Sequence, residues 1–152
     1  MQRRTTQNSA AAPSRNNSVI NADTFKRAEE AVSKLSEQYR DWALSDIDTL
    51  RDCTDKISGD ATRDEAVAKI RSIAHDMRGQ GSTFGYPLIT QVAQSISETL
   101  KLSLDSGKLI AQMNAHIDTV EAIIENEATG DGGDMGRDIL KSLEDRIGRR
   151  VD

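Results

Sequence analysis

Ala74-His75-Asp76-Met77-Arg78-Gly79-Gln80-Gly81-Ser82-Thr83-Phe84-Gly85-Tyr86-Pro87 sets one histidine inside a helical pattern, with a cation three residues on and a glycine four residues on. Positions i+3 and i+4 of a helix lie beside position i on the same face, so Arg78 and Gly79 are the immediate neighbours of His75. Glycine costs about 1 kcal/mol relative to alanine in a helix interior. Its presence beside a histidine therefore needs a reason. The missing side chain at 79 clears room for a large group to approach the imidazole. A cation at 78 can hold an anion that the imidazole carries. Nucleophile, anion clamp and cleared approach point to a histidine that accepts a phosphoryl group.

The residues on either side place this histidine away from a core. Thr62-Arg63-Asp64-Glu65 has the form of a capping box and predicts a helix start. The helix that follows has an apolar side of Ala66, Ile70, Ile73, Met77, Gly81 and Phe84. Its other side shows Ala68, Arg71, Ser72, His75, Arg78, Gly79 and Ser82. The imidazole lies about 160–200° round the helix from Ile73 and Met77. Tyr86-Pro87 reads as the next helix start, with proline in the first turn.

Further helices follow from steps of three and four. Upstream, Phe25, Ala28, Val32, Leu35, Tyr39, Trp42, Ala43, Ile47, Leu50, Cys53 and Ile57 form one stripe without a glycine or proline until Ser58-Gly59. That is one long helix, or two with a bend, and Tyr39 and Trp42 are expected to pack. Downstream, Ile89, Val92, Ala93, Ile96, Leu100 and Leu104 predict a third helix ending at Ser106-Gly107. Leu109, Met113, Ile117, Val120, Ile123 and Ile124 predict a fourth. Short connections at 58–61, 83–86 and 105–108 favour antiparallel neighbours. After Thr129–Asp134, read as a flexible break, Ile139, Leu140, Leu143 and Ile147 make a short amphipathic helix that folds back on the bundle or binds a partner. Residues 1–20, without apolar periodicity, are expected to be disordered.

Composition narrows the class. Only 3% of residues are aromatic and two are proline, so the core is aliphatic and helical. The net charge of −5 includes Arg3, Arg4 and Arg15 in a stretch of twenty residues without acids, which leaves −8 on the remainder. Such a body lacks the basic face of a nucleic-acid binder. Cys53 is alone, which excludes a disulfide framework or a cysteine metal site. No apolar run reaches the ~18 residues of a membrane helix. A cytoplasmic, monomeric protein built around residues 23–127 is the expectation.

The stretch from His75 resembles the histidine-containing phosphotransfer (HPt) domain family. That pattern is His, two variable residues, Lys or Arg, Gly, a variable residue, a small residue, two variable residues, an apolar residue and Gly. Here His75, Arg78, Gly79, Gly81, Phe84 and Gly85 fill these places. Arg78 stands where Lys is commoner, which exchanges a point charge for a planar fork. The resemblance implies an all-α fold, an antiparallel four-helix bundle over 21–128; the long N-terminal helical region and the extra C-terminal helix within 129–152 come from the apolar periodicity, and the family explains neither end of the chain. The resemblance also implies a non-enzymatic phosphocarrier that shuttles a phosphoryl group between aspartates of receiver domains of response regulators and hybrid histidine kinases. His75 is then the phosphoacceptor and Arg78 the phosphoryl clamp, while Arg71, Gly79, Gln80 and Ser82 belong to the docking face. No cofactor or metal site is expected; Mg²⁺ would come with the receiver.

Imidazole near neutral pH has a nitrogen lone pair and attacks phosphorus without a dedicated base. No nucleotide-binding Gly-rich loop followed by Lys-Ser or Lys-Thr is present, so ATP hydrolysis by this chain is not expected. Bland readings stand beside these: His75 as a surface histidine, Arg78 as a surface cation, Asp76 as a solvated charge and Phe84 as core. His116, without the motif's neighbours, reads as a partly buried or surface histidine. The alternatives in function are a helical-bundle adaptor that binds a kinase or receiver without being phosphorylated, and a degenerate dimerisation domain of a histidine kinase.

Overall fold

The computed structural model describes the backbone of residues 11–152 and the side chains of residues 21–152. All regular structure among these residues is helical: α1 (Ala11–Asp55), α2 (Arg63–Gly81), α3 (Pro87–Lys101), α4 (Ser106–Glu125) and α5 (Gly133–Ile147). The chain divides into two compact units, Met1–Glu37 and Gln38–Asp152. Among the described residues no helix is long and apolar enough to cross a membrane.

In the first unit, half of the expected unstructured stretch, residues 1–10, lies outside the described residues. The other half does not match the expectation, since α1 already begins at Ala11. Pro13 falls in its first turn, where a missing N–H has no intrahelical partner to lose. Beyond it no glycine or proline interrupts the helix. Phe25, Val32 and Leu35, which begin the apolar stripe read from the sequence, are 64%, 61% and 47% exposed. Period alone tells which residues share a face, not what covers that face.

The core belongs to the second unit. α1 contributes Tyr39, Ala43, Ile47, Leu50 and Cys53, and Ile57 follows just past its end. α2 contributes Ala66, Ile70, Ile73, Ala74 and Met77; α3 contributes Ile89, Val92, Ala93 and Ile96. α4 supplies Leu109, Met113, Ile117, Val120, Ile123 and Ile124, all within 4% of full burial. α2 packs on α3, α3 on α4, and α4 on α5. Arg51 of α1 reaches Asp118 and Glu121 of α4 at 3.2 and 3.4 Å. Such half-exposed pairs contribute about 0–1 kcal/mol each. α5 folds back on the bundle, burying Leu143 and Ile147, with Val151 beyond it. The loop before α5 is anchored too: the Gly130 N–H donates to the Gly85 carbonyl at 3.0 Å.

One helix cap and one helix boundary differ from the sequence reading. Thr62 does stand before α2, but its side chain does not cap it. The hydroxyl donates instead to the carbonyls of Lys56 and Gly59, so it closes the preceding turn. Ser106-Gly107 opens α4 rather than ending α3, because the Asp105 carboxylate accepts the Lys108 N–H at 2.8 Å as an N-cap.

His116 is fully buried rather than at the surface. Its Nδ1 lies 2.6 Å from the Gln112 carbonyl, which only accepts, so Nδ1 carries the proton. Nε2 then accepts from the Ser95 hydroxyl at 2.8 Å. Arg149, beyond α5, donates to Ser95 O and Oγ, to Thr99 Oγ1 and to Gln112 Oε1. Burial, followed by the repulsion of Arg149, lowers the His116 pKa to about 4. In the unfolded chain it titrates near 6.5. Below that pH the unfolded state takes up a proton that the folded state refuses, so stability falls with pH until about 4. Urea unfolding at pH 7 and at pH 4.5 is expected to differ by up to about 3 kcal/mol from this group. His116→Gln should remove that difference.

Candidate functional site

α2 presents the site because its two sides differ. Ala66, Ile70, Ile73, Ala74, Met77 and Gly81 are buried, whereas Arg71, Ser72, His75, Arg78, Gly79 and Gln80 are exposed. His75 therefore stands on the solvent side, as its spacing from Ile73 and Met77 predicts. Among the described residues no hydrogen bond holds its ring. A Cβ built at Gly79 meets nothing within 4 Å, so the space one turn beyond the imidazole is open.

Gly81 has the opposite surroundings. A Cβ there would lie 2.6 Å from Thr90 Oγ1 and 2.9 Å from both Thr90 N and Tyr86 O. Its absence lets the end of α2 close on the start of α3. Thr90 uses that proximity: its Oγ1 donates to the Arg78 carbonyl at 3.1 Å and accepts from Ser82 N and Ser82 Oγ at 3.0 and 3.1 Å. Ser82, expected on a docking face, is thus engaged in joining two helices. Gly85 adopts φ +91°, a left-handed conformation open to glycine, and this turns the chain toward Tyr86-Pro87.

An aromatic group supports that turn from below. Phe84 is half-buried and stacks on Tyr39 at 4.9 Å, and Tyr86 stacks on the same ring at 5.7 Å. The Tyr39 phenol is pushed up to about 12, first by burial and then by Asp46. Trp42 meets Phe84 edge-on at 6.1 Å, yet it remains 52% exposed, so it is not the packing residue the stripe suggested. Trp42, Ser45 and Asp46 of α1 line a hollow with Asp76 and Gln80 of α2. The Asp46 carboxyl is raised by burial and next by the neighbouring charge of Asp76. The edge of the site nearest α1 is acidic and aromatic.

The opposite edge is cationic and polar. Arg78 Nη1 donates to Gln94 Oε1 on α3 at 2.6 Å, and Gln94 Nε2 donates to Glu98 at 3.1 Å. This bond uses one of the five guanidinium N–H donors and leaves the others for an anion. The role of Gln94 was not read from sequence, nor was that of Thr90. The available signal is the row Thr90, Gln94, Glu98 at i, i+4 and i+8, which sets a polar edge on an otherwise apolar helix. Along α2 toward its start, a groove of about 700 Å³ is lined by Asp52 and Cys53 of α1 and by Lys56 just past its end, with Glu65, Lys69 and Ser72 of α2. Arg71 is exposed on the turn before His75.

A solvent-facing imidazole flanked by open space and a cation can form and hold a bond to a phosphoryl group, provided a partner brings that group. Comparison of the chain with models of known families, with curated proteins and with solved structures finds no match.

Proposed function

We propose that this chain is a histidine phosphocarrier of a two-component phosphorelay, in which His75 takes a phosphoryl group from an aspartate of one receiver domain and passes it to another. The supporting observation is the exposed ring of His75 with unobstructed space at Gly79 and the Arg78 guanidinium one turn on. In this reading α2, α3, α4 and the second-unit part of α1 make the antiparallel four-helix bundle of such carriers, and α5 is an addition. The unprotonated ring nitrogen forms the P–N bond with its lone pair. The P–O bond to the partner's aspartate breaks, and its carboxylate leaves with the electron pair. The receiver docks over Arg71, Ser72, Gly79 and Gln80, with Trp42 as an aromatic anchor of the type that dominates interface energetics. The chain supplies no nucleotide chemistry of its own, and cytoplasmic receivers are its partners.

Incubation with a phosphorylated receiver domain tests this directly. Acid-labile, base-stable label on the chain is expected; its absence with every competent receiver tried refutes the reading. Binding without label would favour the adaptor alternative, to which the Arg78–Gln94 bond lends support because it gives Arg78 a role without phosphate.

Arg78→Ala separates the two roles of this cation. A charge-assisted hydrogen bond to a phosphoryl oxygen contributes roughly 1.5–3 kcal/mol. Its loss is expected to slow transfer about 10- to 150-fold if the bond strengthens in the transition state. Folding stability should change by about 0–1 kcal/mol, since the side chain is exposed. Arg78→Lys should keep most of the rate. Transfer at the wild-type rate with weaker receiver binding would make Arg78 a docking residue.

A further inference from the structure

We infer that the hollow between α1 and α2 beside His75 is a socket for one arginine side chain of the docking receiver domain. The identity of that partner rests on the phosphocarrier reading; the chemistry of the socket does not. Trp42, Ser45 and Asp46 of α1 and Asp76 and Gln80 of α2 line it. Its volume of about 260 Å³ lies below the ~300–1,000 Å³ of sites that enclose a free ligand. One long side chain is an occupant of that size. Position ties the socket to the docking face, since Asp76 follows His75 and Gln80 follows Gly79.

Charge selects the occupant. Folding brings the carboxylates of Asp46 and Asp76 together from two helices, and among the described residues neither forms an ion pair. The Asp46 carboxyl is held above its ordinary range by burial and then by Asp76, and Lys69 offsets only part of this. A cation between the two groups would turn their repulsion into attraction. Tyr39 adds a second unmet demand. It lies one turn before Trp42 on α1, is 2% exposed, and its hydroxyl has no hydrogen-bond partner. Asp46 is the charge that acts on this phenol most strongly, which sets the hydroxyl beside the lining of the socket. A buried polar atom of this kind calls for a partner. Trp42 decides between the two basic side chains. Its indole is 52% exposed. A guanidinium can stack on an indole face while its N–H fork donates to carboxylates, whereas the lysine ammonium is a strongly hydrated point charge.

The test uses Trp42 itself, the single tryptophan of the chain. Its fluorescence is titrated with N-acetyl-argininamide and with the neutral citrulline analogue at matched ionic strength. A saturable change in the millimolar range is expected with the arginine derivative, and none with the citrulline one. Asp46→Asn and Asp76→Asn should each weaken binding at least about 10-fold, the loss of one charge-assisted hydrogen bond. Asp76 is exposed, so that variant should keep the helical circular dichroism. In transfer from a phosphorylated receiver, the same variants should raise the receiver concentration at half-maximal rate by at least about 10-fold. No saturable change, an equal response to citrulline, or a response indifferent to both substitutions overturns the socket. A lysine derivative that binds as tightly overturns the choice of arginine. A chain that passes the fluorescence test but takes no label refutes the phosphocarrier reading alone. One that takes label but fails the fluorescence test refutes the socket alone.

Discussion

His75→Gln is expected to abolish phosphoryl acceptance and leave the fold intact. The ring lies on the solvent face of α2, so replacement removes no core packing. Surface substitutions of this type normally change stability by less than about 0.5 kcal/mol. Glutamine keeps polarity and approximate length but has no nucleophilic lone pair on nitrogen. The loss should therefore be complete rather than partial. His116 offers no bypass, because it is fully buried and both ring nitrogens are engaged. Labelling after incubation with a phosphorylated receiver, read beside the thermal melt, checks both halves. Label at the parent level, or label that maps to His116, contradicts the assignment.

The two glycines after His75 are expected to respond in opposite ways to a larger side chain. Gly79→Leu places its Cβ in open space and gains about 1 kcal/mol of helix propensity. The variant should melt at or above the parent temperature. It should nevertheless transfer at least about 100-fold more slowly, because a displacement of about 1 Å in the approaching group has that effect. Gly81→Ala should do the reverse. Its methyl would be forced against the backbone at Thr90 and Tyr86, and overpacking of this kind costs about 1–3 kcal/mol. The helix gain offsets part of this, so a lower melting temperature with transfer rescued at low temperature is expected. A Gly79→Leu protein that transfers normally would show that the open space has no part in the chemistry.

Much of α2 was legible because its information is local. His75, Arg78 and Gly79 share one helix face, and the apolar residues that orient that face recur within the same nineteen residues. Pro87 likewise marks its own position at the start of α3. What escaped the sequence depends on partners far along the chain. The burial of His116 rests, besides its own-helix neighbour Gln112, on Ser95 of α3 and Arg149 beyond α5. The bond from Arg78 to Gln94 and the capture of Ser82 by Thr90 need the closure of α2 on α3. Periodicity could not distinguish Tyr39, which is buried, from Leu35 or Trp42 on the same stripe, which are exposed. Thr62 and Ser106 show a different shortfall. Each residue type favours helix starts and turns alike, and the neighbouring carbonyls or Asp105 decide between them.

The position of Arg149 also orders events during synthesis. Ser95 is added 54 residues before the guanidinium that donates to it. At 5–20 residues per second that interval is about 3–11 s. His116 follows Ser95 by 21 residues, so the polar interior between α3 and α4 waits for its cation over only the last 33 of these, about 2–7 s, with Ser95, Thr99 and His116 meeting solvent in its place. Translation rate and maturation of the fold are thereby coupled through a residue that lies outside every helix.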